Sequence, residues 1–234
     1  LYLSIDNDLN IKTMNTIDLI KKRHATRGFS EQPVSHDLIM QILDAARWAP
    51  SGVNTQPWNV AVVEGDTKQL LAERIIAARE NNQPPNPDYD YYPEQWEEPY
   101  KSRRKDTGLA LYQALEIRRE DTEKQKQAWY NNYHFFGAPV GLIFYLDKQL
   151  NQGSWIDMGM FLQNVMLAAT SLGLNTCPQA AMAEYPDIVR ETLNIDNQYH
   201  IVCGMALGYE DPTHPANSYR LEREPPENFT TWFK

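Results

Sequence analysis

The chain is poor in the features that would place it in a membrane, on nucleic acid or around a metal. Nowhere does it run to the roughly 18 consecutive apolar residues of a bilayer span. Residues 1–15, LYLSIDNDLNIKTMN, carry acids and amides where a signal peptide needs an apolar run. Positive charge is in deficit, with 22 Lys and Arg against 31 Asp and Glu and a net charge of −9. That field repels phosphate-rich partners, so neither nucleic acid nor a membrane surface is expected as a partner. The only cysteines, Cys177 and Cys203, have no CxxC or Cys/His spacing, which leaves no zinc pattern and no disulfide framework. One long-range disulfide and two free thiols both stay open. Free thiols in a cytoplasmic protein are the expectation. GxSxG, HExxH, the P-loop and GxGxxG are also missing.

What is present reads as a mixed α+β chain, with several helices per strand. Residues 1–15 are expected to be a poorly ordered leader, with Met14 just ahead of the first helical pattern. Thr16 is placed as the cap of a short helix, TIDLIKKRH. Ser35 caps a second, whose Leu38, Ile39, Ile42, Leu43 and Ala46 share a face before Pro50 ends it. WNVAVVEG predicts a strand with Val60, Val62 and Val63 buried, and TKQLLAERIIAAREN a helix. Residues 83–100 are proline-broken and aromatic, which suits a long ordered loop or lid. Residues 101–133 read as a charged helical stretch packing through Leu109, Tyr112 and Leu115. Then come a central strand at 140–147, a core helix over Trp155–Gly173, a loop NTCPQAAMAEY, a helix over Pro186–Leu193 and a strand HIVCGMALGY. Residues 16–209 are taken as the domain, with 83–133 as its excursion. Residues 210–234 form an arm whose Tyr219, Phe229, Trp232 and Phe233 borrow a neighbour's surface.

Three groups of residues suit chemistry. Arg23, His24 and Arg27 stand out in an acidic chain. On a continuing helix the two arginines share a face and clamp a phosphate monoester, but a solvated helix end fits them equally. Arg220 and Arg223 repeat the theme in the arm. In PSGVNTQPW, Pro50 and Pro57 bracket Ser51, Asn54 and Gln56, whose donors and acceptors suit the edge of a planar heterocycle or a sugar chain. A helix end with turn amides is the competing reading. Tyr89, Tyr91, Tyr92, Trp96 and Tyr100, with Phe135 and Phe136, either offer stacking walls or simply pack the proline-rich excursion. Tyr92, Trp96, Tyr100 and Phe135 are taken as substrate contacts. Beside them Lys101, Arg103, Arg104 and Lys105 either attract a carboxylate-bearing aromatic or solvate a helix start.

Taken in order, RHATRGF, PSGVNTQPW, WNVAVVEG, FFGAPVGLIFYLD, LAATSLGLNTCPQAAM, IVCGMALGYEDP and HPANSYRLER resemble the nitroreductase (flavin reductase-like) family, and within it the nitrobenzoate-reductase type. The likeness runs from about Thr16 to about Arg223. It implies a three-layer α/β/α sandwich on a mostly antiparallel sheet, in an intertwined homodimer with FMN at the subunit interfaces. It also implies that Arg23, His24, Ala25 and Arg27 hold the FMN phosphate and ribityl chain, with Arg220 completing that site and Gly208 close by. His24-Ala25 stand where Arg-Ser is common in the family. Pro50, Ser51, Asn54 and Gln56 would come from the partner subunit, and Pro178, Gln179 and Ala180 would run past the flavin ring. NADH or NADPH would be the donor and a nitroaromatic or quinone the acceptor, in a ping-pong cycle without a catalytic side chain or metal. Reductive dehalogenation, dehydrogenation, a flavin-binding role without turnover, and a flavin-free metabolite-binding module are the alternatives.

Overall fold

The structure, a computed structural model, describes residues 15–234. The leader expected over 1–15 therefore lies, apart from Asn15, outside the described residues. Asn15 rather than Thr16 caps α1 (Thr16–Lys22), its side chain accepting from the Asp18 N–H at 3.0 Å. Ser35 caps α2 (His36–Ala46) as the sequence predicts, and Ile39, Ile42 and Ala46 are buried while Leu38 and Leu43 pack beside them.

Four strands form one sheet: β1 (Asn59–Val63), β2 (Val140–Asp147), β3 (Asn175–Gln179) and β4 (Tyr199–Gly208), in the order β1-β2-β4-β3 with every neighbouring pair antiparallel. In β2 the side chains alternate between faces. Leu142, Phe144 and Leu146 enter a core with α2 and α6 (Gln152–Ser171), whereas Ile143 enters a second core with α3 (Gly65–Glu80) and α7 (Pro186–Leu193). Helices thus cover both faces of the sheet, giving three layers. The apolar run VGLIFYLD follows from burial on both sides. In β1, by contrast, only Val63 is buried and Val62 is exposed, because this strand is an edge.

One expectation is overturned at 175–179, which is a strand rather than a loop. Pro178 is tolerated because β3 is the other edge. The Thr26 N–H donates to the Thr176 carbonyl at 3.0 Å, so that side of β3 faces outward, and the N–H missing from Pro178 falls on it.

The excursion at 83–133 is a strap followed by α4 (Tyr100–Ala114) and α5 (Thr122–Tyr130). The register of β2 on β4 shifts between Phe144 and Tyr145, leaving Val202 unpaired. Strap side chains satisfy the backbone there: Asp88 accepts from the Ile201 N–H at 2.8 Å, and the Tyr89 hydroxyl donates to the Val202 carbonyl at 2.6 Å. Asp88 also pairs with Arg190 of α7 at 2.7 Å, both side chains being under 10 % exposed. The expected stripe on α4 is turned: Leu109 is exposed, whereas Leu111 and Tyr112 face a cavity.

Candidate functional site

Two adjoining cavities share Arg27 and Thr107 as lining residues. One, of about 700 Å³, is basic: Arg23, His24, Arg27, Arg220 and Arg223 line it together with Lys21 and Lys22. The other, of about 480 Å³, is aromatic, walled by Tyr89, Tyr91, Tyr92, Tyr112, Trp129 and Phe136 and floored by Pro178, Gln179 and Ala180 at the end of β3.

The basic cavity is not built on a helix face. Helix α1 stops at Lys22, and residues beyond it run extended beside β3, with Ala25 bridged to Thr176. Arg23, His24, Ala25 and Arg27 all reach the cavity from this non-helical segment, so no helical spacing is needed to bring the two arginines together. None of the guanidinium groups of Arg23, Arg27, Arg220 and Arg223 pairs with a carboxylate among the described residues. Burial, and then the neighbouring Arg223 charge, push the Arg23 guanidinium below its ordinary range. Four guanidinium groups with no carboxylate in direct contact, and only Glu210 reaching the group through His24, in a chain of net charge −9, fit a dianionic phosphate monoester. His24 sits within it, its Nε2 2.9 Å from Arg220 Nη2 and 3.2 Å from Glu210 Oε1.

The loop Pro50–Trp58 stands apart, and none of its residues lines either cavity within this chain. It is tied at both ends. The Gly52 N–H donates to the Asp157 carboxylate of α6 at 3.2 Å, and Trp58 stacks on Phe161 at 4.8 Å, an arrangement worth about 0.5–1.5 kcal/mol beyond area burial. Ser51 Oγ accepts from the Gln56 N–H at 3.0 Å. Between these ties Val53, Asn54 and Gln56 adopt left-handed φ of 46°, 58° and 48°, and Val53 is 100 % exposed. A β-branched residue held left-handed and in the open is costly, which marks the loop as shaped for something other than its own stability.

Other expected residues separate. Gly208 packs under Pro139 and Phe29 and lines neither cavity. Tyr92 lines the aromatic cavity, but Trp96 backs onto it at 5.5 Å and Tyr100 is exposed outside. Phe135 is fully buried, its ring in the space a Cβ at Gly141 would need. The adjacent Phe136, held at φ 54°, lines the cavity instead. Two aromatics in tandem give no sequence signal as to which one turns inward. Arg103 pairs with Glu224 of the arm at 2.5 Å, and Arg104 lies over Trp96 at 5.2 Å. Neither lines the cavity, so of the two readings open for these residues the helix start, not the attraction of a carboxylate, fits Arg103 and Arg104. Sequence reasoning missed Glu184, a cavity residue held by Arg79 at 2.7 Å and Tyr133 at 2.9 Å, and Asn217, which holds the Arg27 N–H at 2.8 Å.

Both thiols are free and buried. Burial pushes the Cys177 thiol up to about 11 and the Cys203 thiol up to about 12, so neither forms a thiolate near neutrality. Alkylation by iodoacetamide at pH 8 is expected to spare both in the native protein and to label both in urea. Rapid native labelling of Cys177, counted by mass spectrometry, would show that its thiol is not held buried.

A model of the nitroreductase family matches residues 20–209. The chain belongs to the nitroreductase family. Among relatives of this nitroreductase family member, 4-nitrobenzoate reductase of Pseudomonas putida is 40 % identical over 212 residues, covering 91 % of this chain and 92 % of that one. Nitrobenzene nitroreductase of Ectopseudomonas oleovorans is 38 % identical, covering 92 % and 95 %. The fold superposes on the crystal structure of the FMN- and NADPH-dependent nitroreductase NfnB of a Sphingopyxis strain with a TM-score of 0.91 at 33 % identity, covering 94 % of this chain and 100 % of that one. It also matches the FMN-dependent NfnB of Mycobacterium smegmatis in complex with NADPH, with a TM-score of 0.87 at 32 % identity, covering 92 % and 96 %.

Proposed function

We propose that this nitroreductase family member is an FMN-dependent oxidoreductase that reduces a planar nitroaromatic at the expense of NADH or NADPH. The observation that carries the reading is the join at Arg27 and Thr107 between an uncompensated guanidinium cluster and an aromatic cavity. That is the layout a phosphate-bearing flavin requires. Bound there, FMN supplies the redox chemistry, accepting hydride from the nicotinamide and passing electrons to the acceptor.

The chain's own part is to bind, orient and exclude water. Arg23, Arg27 and Arg220 take the phosphate, and the segment Pro178–Ala180 supports the ring end. Tyr91, Tyr92, Trp129 and Phe136 shelter the space in which donor and acceptor take turns, a ping-pong order. We place the chain in a homodimer, in which the loop Pro50–Gln56 of one subunit reaches the cofactor of the other. The exposed Val53 on that loop, and the exposed Trp48 and Ile156 on the elements flanking it, support this arrangement.

Stopped-flow absorbance tests the reading. Flavin absorbance should bleach on mixing with NADH or NADPH and return on adding nitrobenzene. A protein that stays colourless with added FMN, or whose flavin neither nicotinamide bleaches, would overturn it.

Acceptor charge follows from the lining, where Arg27 is set against Asp90 and Glu184. Glu184 is neutralised by Arg79, which leaves Asp90 as the acid an acceptor would meet. Asp90→Asn is expected to raise kcat/KM for 4-nitrobenzoate by about two- to fivefold, the range of an exposed charge pair. Nitrobenzene should hardly respond. Equal changes for both acceptors would show that Asp90 does not face the acceptor.

A further inference from the structure

We propose that Asn217 is the positioning residue of the phosphate clamp, holding Arg27 and Arg220 in place before the ligand arrives. The inference rests on the FMN reading above. Asn217 is 7 % exposed, and its carboxamide is used in full. Oδ1 accepts from the Arg27 N–H at 2.8 Å, while Nδ2 donates to the Gly28 carbonyl at 2.8 Å and to the Asp211 carbonyl at 2.9 Å. Its backbone carbonyl accepts from Arg220 Nη1 at 3.0 Å. One residue, 190 positions from Arg27 in sequence, therefore joins the backbone beneath that clamp arginine to the guanidinium of Arg220.

The geometry demands this side chain. The site presents one N–H to be accepted and two carbonyls to be donated to, and an amide of this length offers both functions. The arm sits hard against Gly28, where any Cβ would come within 2.1 Å of the His214 side chain, so the contact has one seating. Arg23, Arg27, Arg220 and Arg223 repel one another around the cavity they share. Without a fixed frame, their side chains would spread into solvent and have to be gathered again on binding. A frame that supplies this order in advance lowers the cost of taking a phosphate. It would do nothing for a flavin ring, which on the reading above would be held by Pro178–Ala180.

That difference separates a positioning role from a merely structural one. Flavin is removed from the full-length protein, and FMN and riboflavin, which share the ring and differ by the phosphate, are titrated by quenching of flavin fluorescence. Wild type should prefer FMN. Asn217→Ala, which removes the three side-chain hydrogen bonds and keeps the carbonyl that holds Arg220, should lose about tenfold of that preference, with riboflavin affinity moving less than twofold. If circular dichroism shows that this variant does not fold, Asn217→Ser is judged on the same ratio. An unchanged ratio, or equal weakening of both ligands, overturns the inference while leaving the cofactor reading intact. A wild type that binds both flavins equally, or neither, overturns the phosphate site and the inference with it.

Discussion

Replacing Arg23 and Arg220 together with alanine is expected to weaken FMN binding on the order of 100-fold or more. A charge-assisted hydrogen bond contributes about 1.5–3 kcal/mol, and this variant removes at least one from each arginine. Riboflavin should bind it as well as it binds wild type. The same change should leave the flavin-free protein no less stable. Neither guanidinium has a carboxylate partner to lose, and relief of Arg23, disfavoured by burial and by Arg223, offsets the hydrogen bonds that Arg220 gives up to His24 and to the Asn217 and Tyr219 carbonyls. Loss of affinity without loss of Tm is the pattern of a site held at the expense of stability. A fall in Tm with FMN affinity retained would show the cluster to be structural.

The second large effect is expected at the strap. Asp88→Ala should cost about 3 kcal/mol in urea unfolding, because it takes from the buried Arg190 guanidinium its one buried carboxylate partner. It also strips the acceptor from the Ile201 N–H beside the register shift in β4. Asp187 holds Arg190 at 2.7 Å on its more open side, so that pair survives but does not replace the buried one. Since Tyr89 follows directly and walls the aromatic cavity, KM for a nitroaromatic should rise together with the loss of stability. An unchanged urea midpoint would mean that the strap is not anchored through Asp88.

Elements governed by local rules were readable without coordinates. Ser35 and the apolar face of α2, the doubly buried run of β2 and the long core helix α6 follow from capping and periodicity. The clamp arginines are visible because basic side chains stand out in an acidic chain, although neither reading open to the sequence, a continuing helix face or a solvated helix end, describes the segment that runs beside β3. What escaped depends on distant partners. NTCPQ looks like a loop until β4 is beside it, and Asp88 has no meaning until Arg190 is. Asn217 reads as a turn amide until Arg27, far away in sequence, comes to meet it. Phe135 and Phe136 both carry a left-handed φ, a strain that no local propensity announces, and only the packing of Phe135 against Gly141 shows that Phe136 is the one at the cavity.

The separation of Pro50–Gln56 from the basic cavity has a genetic consequence in the proposed dimer. Each flavin site takes its clamp from one chain and its loop from the other, so two differently damaged chains can complement one another. A chain lacking the clamp arginines, mixed with one carrying Asn54→Ala, assembles heterodimers in which one site collects both defects and the other collects none. Random pairing makes about half the dimers mixed, and so about a quarter of the wild-type number of sites should reappear from two inactive parents.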